Sequence, residues 1–293
     1  MKFREQVLQN CIISPKSKRI LKFSDDEKYL LDEENKDKFF FNTFNAPVLL
    51  NNSKQIQEYL EKSKNMLDEY QNISQKTIKF WDKIKSSLSY DYRTKKSKVA
   101  FKNSIKLFDS KVLGLNIGGG PSRVNSWLTN INIAPYKNID VVADVHNLPY
   151  INDCVEYIYC EAVIEHLHSP NLAAKEMFRV LKKGGKAYIV TPFMQTYHGY
   201  PDHYQNLTLS GHIKLFEKLG FKIVDYGTCV GPLYALMNIV TAFIKNYTPY
   251  PINIILRILW AFVEIILRPL DIYFGNLDKS YVLASSTYVS IEK

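Results

Sequence analysis

The sequence has little cysteine and no paired cysteine motif. Its four cysteines, Cys11, Cys154, Cys160 and Cys229, lack the CxxC spacing typical of zinc or redox sites. The first ten residues, MKFREQVLQN, lack the apolar core of a secretory signal. We therefore expect a protein of the reducing cytosol.

Long uninterrupted apolar runs are also absent. The longest apolar stretches lie between Gly231 and Phe274 and are broken by charged residues, so we expect no simple membrane span. An Arg-rich block is missing too, because the formal net charge of +9 comes from lysines mixed with acids along the whole chain. This charge indicates a bias toward anionic surfaces and does not indicate a dedicated nucleic-acid binder.

Hydrophobic strand patterns alternate with helical patterns through most of the chain. They read VLGLNI, NIDVVAD, YIYCEA, KAYIVTPF and FKIVDYG, with YVLASSTYVSIE as a last strand. The segment from Asn171 to Leu181 has a helical pattern, with Gly184 and Gly185 as its C-terminal signal. The pattern predicts an α/β fold, with a mostly parallel Rossmann-like sheet and helices on both faces.

The organisation along the chain predicts three parts. Residues 1–53 form a small N-terminal unit of short strands, and residues 54–107 form a helical connector that contains a long helix over 54–88. Residues 108–293 form the main domain, interrupted at 231–275 by a hydrophobic helical insertion before the last strand.

A glycine loop follows the first strand of the main domain. In VLGLNIGGGPS, Gly118, Gly119 and Gly120 would let a ligand approach the backbone closely, although such glycines also occur in simple turns. A dinucleotide site would have the pattern GxGxxG, but Arg123 stands at the last glycine position. Asp144 ends a later strand, where a carboxylate faces the ligand crevice of an open α/β sheet.

The glycine loop, ADVHNLPY, CEAVIEHLHSPNLAAKEMFRVLKKGGKAYIVTPF and YHGYPDHYQNLT together resemble the class I, type-11-like S-adenosylmethionine-dependent methyltransferases of bacteria. The resemblance implies that the three glycines hold the methionine part of the cofactor. It also implies that Asp144 and Val145 hold the adenine, and that Cys160 and Glu161 lie beside the transferable methyl group.

Two positions depart from that family's pattern. Asn116 precedes the glycines, and Asn132 stands at the ribose-binding position, where the family usually has acids. A charged acceptor forms roughly twice as strong a hydrogen bond as an amide. On this basis, Asn132→Asp is expected to tighten cofactor binding modestly. The departures also keep open a second hypothesis, a non-catalytic membrane-associated binding module.

The stretch after KAYIVTPF is rich in polar and aromatic residues. It should cover the crevice, because it leaves the C-terminal end of a central strand. His198 and His203 are the candidate general bases for an acceptor hydroxyl, and bracing of the loop is the alternative for both. For His166 and His168 we expect structural roles.

The N-terminal unit resembles the zinc-ribbon-like unit that precedes many such domains. Only Cys11 remains of the usual ligands, and structural zinc normally needs about four. The sequence therefore predicts no metal.

The insertion combines an apolar surface with one polar stripe of Asn253, Arg257, Ala261, Glu264 and Arg268. Its apolar face could pack as a lid, form a homodimer or lie on a membrane.

We expect an enzyme that methylates a hydroxyl or related group of a small molecule or of a glycan or lipid-linked precursor. It would be cytosolic and peripheral at the membrane. Nucleic acid is not expected as a partner, since no Asn-Pro-Pro-aromatic or Pro-Cys motif is present.

Overall fold

The computed structural model describes residues 2–34, 36–73, 92–120, 123–199 and 202–293. The chain begins with helix α1 (Phe3–Leu8) and an antiparallel sheet of β1 (Leu21–Phe23), β2 (Tyr29–Asp32) and β3 (Lys38–Phe40). Strand β4 (Val48–Leu49) and helix α2 (Ser53–Ile73) follow. The predicted helix over 54–88 is therefore seen as far as Ile73, and its residues 74–88 lie outside the described part.

Seven further strands form the central sheet. They are β5 (Gly114–Ile117), β6 (Thr129–Asn132), β7 (Val141–Ala143), β8 (Val155–Glu161), β9 (Leu181–Pro192), β10 (Lys222–Val230) and β11 (Ser286–Glu292). The order across the sheet is β10-β11-β9-β8-β5-β6-β7-β4. All pairs from β9 to β4 are parallel, and β11 is antiparallel to both neighbours. The predicted Rossmann-like α/β fold is confirmed.

Helices α3 (Lys95–Ile105), α4 (Pro170–Val180) and α5 (Leu209–Glu217) cover the sheet. The side chains of Thr94 and Thr208 cap α3 and α5 by accepting the backbone N–H of Ser97 and Gly211. Because the helices pack on both faces, the strands are buried on both sides, and one cluster of aliphatic side chains runs from Val7 through the sheet.

The N-terminal unit shares this core. Its strand β4 pairs in parallel with β7 at the edge of the sheet. The buried Gln6 on α1 donates from Nε2 to Thr129 Oγ1 at 2.6 Å, and its Oε1 accepts the Tyr150 hydroxyl at 3.1 Å. These contacts join the N-terminal unit to the first residue of β6 and to the end of β7.

Two details of the secondary structure differ from the sequence prediction. Helix α4 ends at Val180, and Leu181 begins β9 at once, so Gly184 and Gly185 lie inside β9 and do not cap the helix. Strand β6 was not predicted, because the polar sequence TNIN lacks a continuous hydrophobic signal.

The insertion forms helices α6 (Pro232–Tyr247), α7 (Ile252–Leu267) and the short α8 (Asp271–Phe274). Helices α6 and α7 pack together as a pair, here called the apolar hairpin. None of the sixteen residues of α7, all of them described, is buried. Among the helices that the structure describes, none has both the length and the hydropathy that crossing a bilayer requires.

Candidate functional site

The predicted cofactor residues lie at the carboxyl ends of four neighbouring strands. Gly118, Asn132 and Asp144 end or follow β5, β6 and β7, and Glu161 ends β8. These ends share one edge of the sheet, because Ile117 pairs with both Ile131 and Cys160. The arrangement forms a crevice of the kind that binds ligands in open α/β sheets.

The glycine loop, residues 118–120, is held against the neighbouring strands. The N–H groups of Gly118 and Gly119 both donate to Ile131 O, at 2.8 and 3.2 Å. Gly118 has a φ of +74°, and a Cβ there would lie 2.1 Å from Val163 Cγ2, so only glycine fits. At Gly120 a Cβ would meet no described atom within 4 Å, and the loop therefore borders open space at its tip.

The two asparagines that replace acids have different surroundings. Asn116 is buried and donates from Nδ2 to Asn130 Oδ1 at 2.9 Å, beneath the glycine loop. Asn132 donates from Nδ2 to Gly119 O at 2.9 Å, and its Oδ1 accepts the N–H of Ala134 at 2.9 Å. The Asn132 amide thus ties the glycine loop to the end of β6.

Asp144 accepts hydrogen bonds on both carboxylate oxygens. Oδ1 accepts from the backbone N–H and the Nδ1 of His146, at 2.9 and 2.7 Å, and Oδ2 accepts from Gln55 Nε2 at 2.8 Å. Burial opposes ionisation, but these hydrogen bonds outweigh it and lower the pKa of Asp144. Asp144 is therefore an ionised acceptor suited to an adenine amine. Gln55, which was not predicted as a site residue, already donates to it.

Two other predicted cofactor residues are more enclosed. Val145 is buried at the start of a short 3-10 turn, and the Cys160 thiol lies within the core, where burial raises its pKa. Any contact of Cys160 with a ligand is consequently through its backbone.

Glu161 forms an ion pair with Arg93 and accepts the Tyr159 hydroxyl. Burial of Arg93 disfavours its charged form, but the hydrogen bond to Glu161 outweighs burial and raises the pKa of Arg93. Arg93 was not predicted as a site residue. It lies 68 positions from Glu161, and the bridge between Arg93 and Val230 brings it to the crevice.

A cavity of about 180 Å³ lies beside Glu161 and extends toward helix α6. We call it the Glu165 cavity. Its lining residues are Glu161, Ala162, Glu165, Val190, Thr191, Pro192, Gln195, His198, Val230, Tyr234, Asn238, Ser285 and Ser286. The cavity joins the carboxyl ends of β8, β9 and β10 to the beginning of β11.

Glu165 and His198 meet at the wall of this cavity. The Glu165 side chain is fully buried, and burial, aided by the carboxylate of Glu161, raises its pKa to about 7. His198 Nε2 lies 3.9 Å from Glu165 Oε1, and 43% of the His198 side chain is exposed. His198 can therefore reach both the buried carboxylate and a ligand in the cavity.

His203 lies beside His198 but has different hydrogen bonds. Its Nδ1 accepts the N–H of His198 at 3.2 Å, and its Nε2 lies 2.8 Å from Asn206 Oδ1. Both ring nitrogens are thus engaged within the loop between β9 and α5. This pattern favours the bracing alternative for His203, while His198 retains access to the cavity.

Residues 112–189 match the type-11 family described as a methyltransferase domain. No curated protein sequence matches this chain.

Three similar solved structures are the cyclase SpnF, phosphoethanolamine N-methyltransferase 2 of Haemonchus contortus with bound S-adenosylmethionine, and an S-adenosylmethionine-dependent methyltransferase of Mesorhizobium loti. Their identities to this chain are 16%, 12% and 9%, with TM-scores of 0.43, 0.41 and 0.39. The alignments cover 67%, 67% and 66% of this chain, and 79%, 52% and 97% of the other chains. At these identities the likeness concerns the fold alone.

The assignment rests on the family match together with the strand order and the crevice. These findings identify the chain as an S-adenosylmethionine-dependent methyltransferase whose residues 112–189 match the type-11 methyltransferase domain.

Proposed function

We propose that this enzyme methylates a hydroxyl or related group on a glycan or lipid-linked acceptor that reaches the Glu165 cavity from a membrane surface. The observation that carries the proposal is the double role of α6. Its residues Tyr234 and Asn238 line the cavity, while Leu236 and Phe243 on the same helix are more than half exposed.

Polar side chains of the apolar hairpin meet between its two helices. Trp260 Nε1 donates to Thr241 Oγ1 at 3.1 Å, and Glu264 accepts the Thr241 hydroxyl between the two helices. Arg268 pairs with Glu264 at 3.2 Å. Glu264 and Arg268 of the predicted polar stripe therefore contribute to the contact with α6, whereas Arg257 is exposed and the apolar residues face outward. The large exposed side chains of α7 are Ile252, Ile254, Ile255, Ile258, Leu259, Phe262, Val263, Ile265 and Ile266.

This distribution supports the membrane alternative over an intramolecular lid. Soluble monomers rarely expose contiguous apolar patches larger than a few hundred Å². The hairpin also carries the exposed cations Lys245 and Arg257, which suit an anionic lipid surface.

In the proposed reaction, the cofactor supplies a methyl group on a sulfonium centre. Asp144 would bind the adenine amine, and the glycine loop would border the methionine part. The Glu165 cavity positions the acceptor, and alignment alone can lower the barrier by roughly 7–11 kcal/mol. His198, beside the buried Glu165 carboxylate, would accept the hydroxyl proton, a contribution of roughly 10²–10⁴-fold.

Methyl transfer can be tested with isotope-labelled S-adenosylmethionine. The enzyme would be incubated with isolated membranes and, separately, with the water-soluble metabolites of the source cells. We expect label in the organic extract of the membranes and its loss with His198→Ala. Label confined to water-soluble products would contradict the lipid-linked acceptor. A protein that neither transfers label nor binds S-adenosylhomocysteine in calorimetry would instead be the non-catalytic module.

Membrane binding can be tested through the outward face of α7. Ile255, Phe262 and Ile266 are 58%, 64% and 71% exposed. Burying each in lipid should contribute roughly 1–2 kcal/mol, so the triple serine variant should bind vesicles at least about 100-fold more weakly. The matched control is the double variant Leu8→Ser and Leu107→Ser, since these leucines are 68% and 67% exposed but lie outside the hairpin.

Sedimentation with anionic phospholipid vesicles measures this effect. Equal vesicle binding by the triple variant and the wild type would refute the proposal. If the wild type dimerises without binding vesicles, the outward face of α7 would contact a second copy of the chain instead of lipid. Arg268 is unsuitable for such a test, because its guanidinium lies over the Tyr234 ring at 5.6 Å and supports the hairpin itself.

A further inference from the structure

Three potential metal ligands converge at the wall of the Glu165 cavity. They are a carboxylate oxygen of Glu165 and one ring nitrogen each of His166 and His198, all within 4.8 Å of one another. Glu165 Oε1 lies 3.8 Å from His166 Nε2 and 3.9 Å from His198 Nε2. Two segments of the chain thus meet here, the 3-10 turn after β8 and the loop after β9.

The hydrogen bonds of the two histidines orient their free nitrogens toward this point. His166 Nδ1 lies 2.6 Å from the backbone oxygen of Asp202, and His198 Nδ1 lies 3.0 Å from that of Thr196. A ring nitrogen that faces a carbonyl oxygen must carry the proton, which leaves a lone pair on each Nε2. Metal-binding histidines are held in the same way, with the second ring nitrogen donating to a carbonyl or carboxylate.

The Glu165 carboxylate supplies an independent observation. Its side chain is fully buried, yet neither carboxylate oxygen has a hydrogen-bond donor among the described residues. A buried carboxylate without a partner is costly, and such groups in proteins are normally paired or bound to a metal. The backbone around it is firmly placed, since Glu165 O accepts the N–H of Tyr204 at 2.8 Å.

We propose that Glu165, His166 and His198 bind one divalent transition-metal ion, with Zn²⁺ as the reference ion, and leave its fourth position open to the cavity. Two histidines and one glutamate form a known ligand set of catalytic zinc sites. Metal–ligand bonds of about 2.1 Å in a tetrahedral site place the ligands about 3.4 Å apart. The 3.8 and 3.9 Å separations therefore need to shrink by only a few tenths of an ångström.

The sequence predicted no metal because the only ligands considered were cysteines. Glu165 and His198 are 33 positions apart, and no local spacing motif connects them.

The role of the ion in the reaction rests on the proposed function. An acceptor hydroxyl at the open position loses its proton to solvent, and its oxygen then bonds to the methyl carbon. The carbon–sulfur bond breaks with its electron pair going to sulfur, which yields S-adenosylhomocysteine. In this state His198 is a ligand and not the general base, and the metal would promote loss of the proton by lowering the pKa of the hydroxyl.

The test is Zn²⁺ binding by the full-length protein after removal of metals, measured by competition with a chromophoric chelator. We expect one ion per chain and a thermal midpoint that rises with Zn²⁺. Glu165→Gln, His166→Ala and His198→Ala should each weaken binding by more than about 100-fold, beyond the effect of losing an outer-shell partner. The control His168→Gln, an exposed histidine nearby, should bind as the wild type does.

Calorimetry with S-adenosylhomocysteine on the same variants shows whether each remains folded. Absence of a stoichiometric ion in the wild type, or an equal loss of affinity in His168→Gln, would overturn the metal site. If Zn²⁺ binds as expected but no labelled methyl reaches an acceptor, the metal site stands and the proposed function fails. If label is transferred by metal-free protein in the presence of a chelator, the metal's role in the reaction is refuted.

Discussion

The Asn132 amide offers a direct test of how the cofactor crevice is built. Asn132→Asp replaces the N–H that Gly119 O accepts with a carboxylate oxygen, and two acceptors would then face each other across 2.9 Å. Losing this bond and leaving Gly119 O without its donor should cost about 1–3 kcal/mol. The contact with Ala134 N–H can persist, because an aspartate also has an oxygen in that position.

A carboxylate would also strengthen a hydrogen bond from a ribose hydroxyl, by about 1 kcal/mol. The net change then lies between no effect and about 2 kcal/mol of weakening, or up to about 30-fold in Kd. This expectation reverses the one from the sequence alone, which considered only the contact with the cofactor. The N–H groups of Gly118 and Gly119 are both held by Ile131 O, so the loop cannot easily turn its carbonyl away.

Calorimetric titration with S-adenosylhomocysteine measures the affinity, and thermal unfolding measures the loss of stability caused by the broken hydrogen bond. Asn132→Ala serves as the comparison, since it removes both side-chain bonds without adding a charge. We expect Asn132→Ala to bind more weakly than the wild type and Asn132→Asp to bind no more tightly than the wild type. Tighter binding by Asn132→Asp at unchanged thermal stability would refute the reasoning, and would show that the ribose contact outweighs the tie to the loop.

Further predictions concern the same crevice. Gln55→Ala should tighten binding of S-adenosylhomocysteine by up to about 10-fold, because Gln55 competes for Asp144 Oδ2, and weaker binding would instead make Gln55 a cofactor contact. Gly118→Ala should abolish measurable binding or lower the unfolding midpoint by several degrees, since its φ is positive and its Cβ would overlap Val163; unchanged values would contradict this. At pH values above the pKa of a free aspartate, Asp144 should stabilise the fold, because its own pKa in the fold is lowered. That contribution should disappear as the pH falls through the lowered pKa, and chemical denaturation of the wild type and Asp144→Asn across this range measures it.

Most strands of the central sheet and the glycine loop could be predicted because their signals are local. Hydrophobic runs followed by glycines or Asp144 identify strand ends within a few residues, and parallel strands then bring those ends together. Contacts such as Gln55 with Asp144 or Arg93 with Glu161 span 89 and 68 positions. They depend on where α2 and the chain before α3 return to the sheet, which no local pattern specifies.

The histidine-rich loop illustrates a second limit. The sequence placed His198 and His203 near the crevice, but their roles depend on which ring nitrogen each hydrogen bond uses. Glu165 was visible in the sequence only as a neighbour of His166. Its complete burial without a donor among the described residues is a property of the folded chain.

The sequence predicted a polar stripe on α7, but the usual inference from such a stripe fails here. In a water-soluble protein an amphipathic helix buries its apolar side, because that side gains most from leaving water. Here Glu264 instead faces α6, where it accepts the Thr241 hydroxyl, and Phe262 and Ile266 remain in contact with solvent. A hairpin with this polarity is stabilised when an apolar surface covers it. Because α6 also lines the Glu165 cavity, a membrane surface that covers the hairpin would lie near the proposed acceptor site.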